Sequence, residues 1–291
     1  MTISGNAKVC GVIGNPVGHS LSPMMQNYFA EKLNLDFAYI PCNVPDEQVE
    51  EAIRGIYALG FQGLNVTVPH KQRVMPHLLE IDEAARCIGA VNTLVRMEGG
   101  YKGYNTDAEG LYRALKRQGI QVAGQDCLLI GAGGAAKAVA YMLMKHQAKS
   151  IAILNRSPEK ARLLADQMNR QFGRNTIKAM ALSDYQNLEA PSYLAIQTTS
   201  VGMHPHPGHA AIEDPTFYKK IHTAIDIIYT PSRTRFMELV KEAGGQAFNG
   251  LDMLIYQGII AFELWNPNVS ITDETVDEIR VMMKKRLEGK S

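Results

Sequence analysis

The sequence predicts an α/β protein of two domains, and three observations carry that prediction. Short β-branched runs alternate with amphipathic helical segments along nearly the whole chain, as in a mostly parallel sheet covered by helices. A glycine-rich turn, Gly131-Ala132-Gly133-Gly134-Ala135-Ala136, follows one apolar run directly and opens a helical one. The 291 residues are about twice the ~150 of an ordinary domain. The expected division is an N-terminal α/β domain over 1–110, a Rossmann-type domain over 111–249, and a helical segment over 250–291.

In the first domain, Lys8–Ile13, Phe37–Val44 and Gly63–Val68 read as strands, because they are short, β-branched and bounded by Gly, Pro or Asn. Helices are predicted over Pro23–Leu33 and Asp46–Leu59. The second aligns Val49, Ile53, Ile56 and Leu59 on one stripe, with Asp46 as its cap. Val91–Arg96 and Tyr101–Tyr104 form an expected hairpin across Glu98-Gly99-Gly100. A helix then runs from Asp107 to Gln118 and stops at Gly119.

The second domain opens with strand Asp126–Ile130, helix Ala135–His146, strand Ser150–Leu154 and helix Pro158–Phe172. Strands follow at Tyr193–Gln197, Thr223–Ile227 and near Ala247–Phe248. Two helices close the chain, Leu251–Trp265 and Asp273–Leu287. The last has acids in its first turn and bases at its end, which suits the helix dipole. Both an independent tail and a return to the first domain fit this pattern.

Composition excludes several classes of function. Thirty Lys and Arg stand against twenty-nine Asp and Glu, a formal charge of +1. That supplies no general field for nucleic acid or anionic membrane, so neither is expected as a partner. With 46% hydrophobic and 20% charged residues, the chain has ample core and is not disordered. No apolar run approaches the ~20 residues that span a bilayer, and no basic segment leads into an apolar stretch as in a secretory signal. Cys10, Cys42, Cys87 and Cys127 are scattered without a C-x-x-C pair, so no zinc knuckle, dithiol motif or disulfide framework is expected. The expectation is a cytoplasmic protein that holds small ligands at local sites. The tract His204-Pro205-His206-Pro207-Gly208-His209 looks metal-like, but two prolines stiffen it and no Cys or acid completes a site, so no metal is expected.

The glycine turn fits G-x-G-x-x-A. Gly131 makes the tight turn, Gly133 lets backbone approach a pyrophosphate, and Ala136 allows close packing of helix on strand. The following helix N-terminus favours the anion. An NAD site normally ends the next strand in an acid that bonds the ribose hydroxyls. Here that strand ends Leu154-Asn155-Arg156-Ser157, with Lys160 one turn on. Arg binds a phosphate fork-on or stacks on adenine, so NADP is favoured and NAD is the alternative.

Three clusters in the first domain are ambiguous alone. Asn65-Val66-Thr67-Val68-Pro69-His70-Lys71 closes a strand in polar residues, with Lys71 expected at the entrance of a short helix. A positive potential and partial burial there would suit a lysine to proton transfer, yet a surface lysine explains it equally. In Tyr104-Asn105-Thr106-Asp107, Asp107 reads as a first-turn helix residue and Thr106 or Asn105 as a cap. In His19-Ser20-Leu21-Ser22-Pro23, Ser22 reads as an N-cap before Pro at N1, or Ser20 and Ser22 together hold a carboxylate.

Taken in order, these motifs resemble the shikimate dehydrogenase family over nearly the whole chain. Beside those already quoted, the resemblance rests on Gly14-Asn15-Pro16, Gly89-Ala90-Val91-Asn92-Thr93, Gly103-Tyr104, Thr199-Ser200-Val201-Gly202-Met203 and Gly250-Leu251-Asp252-Met253-Leu254. The resemblance implies NADPH-dependent, reversible reduction of 3-dehydroshikimate to shikimate in aromatic amino acid biosynthesis, with the active site in the cleft between two domains. It implies that 1–110, completed by 250–291, binds substrate and that 111–249 binds NADP. Lys71 and Asp107 would be the catalytic pair. Ser20 and Ser22, helped by Tyr229, would bind the substrate carboxylate; Asn65, Thr67, Asn92 and Gln257 would hold or orient ring hydroxyls. Cofactor contacts would come from Gly131, Ala132, Gly133, Gly134, Ala135, Asn155, Arg156, Ser157, Lys160, Thr199, Gly250 and Met253. Members occur as monomers and homodimers.

The sequence departs from the family pattern at three places. Ser157 and Lys160 stand where Thr and a second Arg are common. Ile196-Gln197-Thr198 replaces the more usual Asn-Ala before Thr199, and Thr230 follows Tyr229 where Asn is common. Three rival readings are weighed: a quinate/shikimate dehydrogenase, often NAD-linked; a non-catalytic metabolite sensor on the same fold; and a folate dehydrogenase. Intact Lys71 and Asp107 without a DNA-binding segment speak against the sensor. The serine pair and the Asn-Thr-Asp cluster speak against the folate enzyme.

Overall fold

The computed structural model describes residues 3–205 and 207–289. The chain forms two units, one taking the residues up to Thr106 and from Ile255 onward, the other Asp107–Leu254. In the first, β1 (Lys8–Gly14), α1 (Ser22–Lys32), β2 (Phe37–Asn43), α2 (Val49–Ala58) and β3 (Gly63–Val66) alternate as the pattern predicts. Then follow β4 (Glu80–Ile81), α3 (Glu83–Ile88), β5 (Thr93–Met97) and β6 (Gly100–Tyr104). The strand order is β2-β1-β3-β5-β6-β4. The first three strands are parallel, and the predicted hairpin of β5 and β6 joins β3 antiparallel.

The second unit runs α4 (Asp107–Arg117), β7 (Asp126–Ile130), α5 (Gly134–Lys145), β8 (Ser150–Asn155), α6 (Pro158–Phe172) and β9 (Ile177–Ala181). It continues through β10 (Tyr193–Gln197), α7 (Pro215–Tyr218), β11 (Ile221–Asp226), α8 (Arg235–Glu242) and β12 (Gln246–Phe248). Its sheet is wholly parallel, in the order β12-β11-β10-β7-β8-β9. This is the doubly wound order of a dinucleotide-binding fold, with the switch point between β7 and β10. Every residue of β10 is buried, as a strand covered on both faces requires.

Of the closing helices, α9 (Leu251–Trp265) and α10 (Asp273–Glu288), most of α9 and all of α10 group with the first unit. Phe262 packs against Phe29 and Phe37 with ring centroids 5.7 and 5.4 Å apart. Glu278 accepts from Tyr28 Oη at 2.6 Å and Lys32 Nζ at 2.8 Å. Trp265 donates from Nε1 to the Leu94 carbonyl at 2.9 Å, while Lys8 Nζ donates to the Trp265 carbonyl at 2.7 Å.

Several local expectations are corrected. The turn Asp46–Gln48 is 3-10, and Asp46 caps nothing; its carboxylate pairs with Arg73 at 2.9 Å. Leu59 lies past the end of α2 and is 76% exposed, so the buried stripe is Val49, Ile53 and Ile56. Ser22 is the first residue of α1 and Leu21 occupies the cap position. Elements β4, α3, β9, α7 and α8 are additional. They are short, or, like α3 with its Asp82 cap and left-handed Gly89, marked by terminal signals more than by periodicity.

A Cβ on Gly63 would lie 2.0 Å from Trp265 Nε1. Gly63→Ala is therefore expected to displace the indole and cost on the order of 1–3 kcal/mol. Urea unfolding followed by Trp265 fluorescence, the protein's single Trp, checks this; an unchanged midpoint refutes it.

Candidate active site

In the first unit the predicted polar residues converge through a buried chain of hydrogen bonds. Asn65, on β3, donates from Nδ2 to the Asn92 carbonyl at 3.2 Å and to Thr93 Oγ1 at 3.1 Å. Thr93 Oγ1 donates to Asn92 Oδ1 at 3.0 Å, and Asn92 Nδ2 donates to Thr106 Oγ1 at 3.0 Å. The Thr106 amide donates to Asn92 Oδ1 at 2.8 Å, and Thr106 Oγ1 reaches Gln257 Oε1 of α9 at 3.5 Å. Thr106 and Asn105, read as helix caps, thus bind backward: Asn105 Nδ2 donates to the Ala90 carbonyl at 3.0 Å.

Tyr39, missed by sequence reasoning, extends this chain. Its hydroxyl donates to Asn65 Oδ1 at 2.6 Å and also bonds the Ser22 hydroxyl. Burial pushes the phenol well above its ordinary range, so Tyr39 stays a neutral donor. Nothing local distinguished it, because a tyrosine inside an apolar strand reads as core. Ser20 Oγ accepts from the Ser22 amide at 3.2 Å and so turns the chain into α1. The Ser22 hydroxyl, expected as the cap of α1, is turned to Tyr39 instead.

Lys71 is half-buried and lies in a run of turns over 68–74, not at a helix entrance. The helix entrance expected to supply a positive potential at Lys71 does not form there. Its carbonyl accepts from the Val91 amide at 2.8 Å, which fixes the lysine backbone beside Asn92. Thr67 is half-buried one residue beyond β3, and its amide donates to the Ile13 carbonyl at 2.9 Å. Asp107 is buried and opens α4, in the second unit.

In the second unit the glycine turn sits at the switch point. Gly131 has φ +110°, and a Cβ there would meet Thr198 Oγ1 at 2.6 Å, so only glycine fits. Its amide donates to the Leu154 carbonyl at 2.8 Å. Gly133 is the extended cap of α5 with no side-chain cap bond, and the space above Gly133 and Gly134 holds no protein atom within 4 Å of an added Cβ. That open cradle at a helix N-terminus, followed by Ala135, fits the pyrophosphate of a dinucleotide. Asn155 ends β8 and donates from Nδ2 to the Ser157 carbonyl at 2.9 Å, which shapes the turn carrying exposed Arg156. Ser157 caps α6 by position, and Lys160 is exposed in its first turn. Those two cations suit a 2′-phosphate.

Four other predicted residues follow neighbouring strands. Thr199 Oγ1 accepts from the Val201 amide at 3.2 Å. Tyr229 follows β11 half-buried, its phenol pushed up by burial. The Gly250 amide donates to the Ile228 carbonyl at 3.0 Å, and Met253 lies in the first turn of α9.

Between these positions lies a buried carboxyl that sequence reasoning also missed. Asp226, fully buried at the end of β11, accepts from Thr234 Oγ1 at 2.7 Å, the Ile228 amide at 3.0 Å and Gln197 Nε2 at 3.3 Å. Burial is the largest influence and pushes its carboxyl up to about 6, against the lowering effect of those three donors. Among the described residues no group of three or more His, Cys, Asp or Glu is placed to hold a metal. His206 of the histidine tract lies outside the described residues.

Comparison with known proteins finds relatives over nearly the whole chain. Residues 12–94 match the shikimate dehydrogenase substrate binding domain, 113–203 the shikimate/quinate 5-dehydrogenase family, and 250–267 the shikimate 5′-dehydrogenase C-terminal domain. A shikimate dehydrogenase (NADP+) of Carboxydothermus hydrogenoformans is 41% identical over 279 residues, covering 95% of this chain and 99% of the relative. The Listeria monocytogenes shikimate 5-dehydrogenase, solved with shikimate and NAD, superposes with TM-score 0.88 at 31% identity over 96% of this chain and 98% of its own. The Thermus thermophilus enzyme, solved with NADP(H) and shikimate, gives TM-score 0.80 at 32% identity over 94% and 99%.

The buried Asp226 has a consequence for stability. Unfolded, it releases its proton near the ordinary 3.8; folded, it holds it to about 6. The folded state binds more protons between those values, so the stability due to this group falls as pH rises from about 4 to about 6 and is level above. Asp226→Asn removes that fall. Urea midpoints of the two proteins should therefore drift in the variant's favour across this window; a constant difference refutes the assignment.

Proposed function

The chain belongs to the shikimate dehydrogenase family, and we propose that it catalyses the NADPH-dependent, reversible reduction of 3-dehydroshikimate to shikimate in aromatic amino acid biosynthesis. The observation that carries this reading is a pair of half-sites in one chain. The first is the Asn65–Asn92–Thr106–Gln257 chain of amides and hydroxyls, suited to a polyhydroxy ring. The second is a glycine turn whose next strand ends in Asn155-Arg156 without an acid. In this reading 1–110, completed by 250–291, binds substrate and 111–249 binds the cofactor.

The proposed roles follow the chemistry of the side chains. The chemistry that NADPH supplies is a hydride to the C3 carbonyl carbon, and negative charge develops on the carbonyl oxygen. Lys71, as the ammonium, stabilises that charge and gives the oxygen a proton from Nζ; in the reverse direction it takes the proton back. Asp107, the second member of the proposed catalytic pair, accepts from a ring hydroxyl of the substrate. Ser20, Ser22 and Tyr229 hold the carboxylate with neutral donors. Asn65 has both N–H groups committed to Asn92 and Thr93, so it meets a ring hydroxyl as acceptor, through Oδ1. Thr67, Asn92 and Gln257 orient the remaining hydroxyls. Gly131–Ala135, Thr199, Gly250 and Met253 contact the dinucleotide, and Asn155, Arg156, Ser157 and Lys160 take its 2′-phosphate.

The enzyme is read as cytoplasmic, acting as a monomer or homodimer. None of the four cysteines is in a disulfide, which suits a reducing compartment. No helix among the described residues is long and apolar enough to cross a membrane.

Initial rates with shikimate and quinate, each with NADP+ and NAD+, test the reading. Shikimate with NADP+ should dominate; equal or better use of quinate or NAD+ would move the enzyme to the quinate class. Lys71→Ala should lower kcat by about 10²–10⁴-fold with little change in KM. Arg156→Ala should raise the KM for NADP+ by about tenfold or more and leave that for NAD+ nearly unchanged.

A further inference from the structure

The geometry points to Gln197 as a positioning residue that, through Asp226, sets the loop carrying Thr199 and the loop carrying Tyr229 in one common arrangement. The inference rests on the functional reading above, which gives those two loops their ligands. Gln197 ends β10 and is 1% exposed; Asp226 ends the adjacent β11 and is 0% exposed. Gln197 Oε1 accepts from the Thr199 amide. Its Nε2 shares two hydrogens among three acceptors, the Thr199 carbonyl at 3.2 Å, the Val201 carbonyl at 3.2 Å and Asp226 Oδ1 at 3.3 Å. One carboxamide thus shapes the whole turn 199–201 and grips the neighbouring strand end.

Asp226 passes that grip onward. Its Oδ1 also accepts from the Ile228 amide at 3.0 Å, one residue before Tyr229. Its Oδ2 accepts from Thr234 Oγ1 at 2.7 Å, and the same Oγ1 caps α8 by accepting from the Met237 amide at 3.3 Å. On the other side, Thr198 donates from both its amide and its Oγ1 to the Ile130 carbonyl at 2.8 Å, immediately before the glycine turn. Three strand ends, β7, β10 and β11, are therefore tied through residues 197–199.

The length of the side chain matters. An Asn at this position would lack one methylene, about 1.5 Å of reach. Bonds already at 3.2–3.3 Å would be lost beyond 3.5 Å. Gln at 197 is what this chain uses to reach the turn and Asp226 together.

The test compares wild type with Gln197→Asn, Asp226→Asn and the double variant, by amide hydrogen exchange and steady-state kinetics. In the wild type, the Thr199 and Ile228 amides should share one opening equilibrium and show protection within about threefold of each other. In Gln197→Asn, both 198–203 and 226–231 should exchange about tenfold faster, the equivalent of one lost hydrogen bond. The KM for shikimate should rise by about tenfold, while the preference for NADP+ over NAD+ stays constant because the Arg156 turn is untouched. The double variant should fall well short of the product of the single effects. Unequal wild-type protection, faster exchange in only one segment, or faster exchange with KM unaltered would each overturn the proposal. A wild-type protein inert towards shikimate would overturn the functional reading instead, and exchange alone would then decide the link between the loops.

Discussion

The polar chemistry of the first unit follows from one buried carboxamide, that of Asn92. Its Oδ1 accepts from Thr93 Oγ1 and the Thr106 amide, its Nδ2 donates to Thr106 Oγ1, and its carbonyl accepts from the Val66 amide and Asn65 Nδ2. Leaving any of these atoms unpaired in the core costs about 1–3 kcal/mol, so the neighbours must be groups that complement an amide. Thr93, Thr106 and Asn65 meet that requirement, and Tyr39 meets the next one by closing on Asn65 Oδ1. Lys71 is drawn to the same place because its carbonyl takes the adjacent Val91 amide. A site that presents hydroxyl and amide groups in fixed orientations is thus a by-product of satisfying a buried polar core.

The second unit solves the same problem at the ends of its parallel strands. There the chain must leave the sheet, and its last amides lose their ladder partners. At β7 the answer is glycine, which lets the turn pass under Thr198. At β8 it is Asn155, which bonds forward to Ser157. At β10 and β11 it is Gln197 with Asp226. Each device leaves backbone N–H groups or exposed side chains on the same edge of the sheet, where a doubly wound fold binds ligands.

Much of this was legible in the sequence, and the exceptions share a cause. Strands β1, β2, β3 and β7, β8, β10 were readable because they are apolar runs with clear punctuation. The return of α9 and α10 was not readable from periodicity, because the partner of an apolar face is a tertiary fact; Phe262 meeting Phe29 and Phe37 leaves no local mark. Motif residues such as Asn65, Asn92 and Arg156 stand out because polar residues closing an apolar strand need a reason. Tyr39 does not, since its partner Asn65 lies 26 residues away; Gln197 and Asp226 also close apolar strands, but the bond that joins them spans 29 residues and leaves no local mark. Lys71 shows the opposite error, in which a local rule about helix ends was applied to a segment that folds as turns.

The charge distribution fits a protein that must tell two similar anions apart. The functional reading requires three anionic groups to be held by a chain with a formal charge of +1. In that reading the pyrophosphate would meet backbone N–H groups at the start of α5, and the carboxylate would meet neutral hydroxyls such as those of Ser20 and Ser22. Neutral donors select by direction and distance, so they attract no stray polyanion and feel salt weakly. In the same reading the two cations that follow β8, Arg156 and Lys160, would take the phosphate by which NADP and NAD differ. Both are exposed, so neither carries a heavy desolvation cost when the site is empty. Positive charge is thus spent where it discriminates between ligands, and geometry serves at the positions that both dinucleotides share.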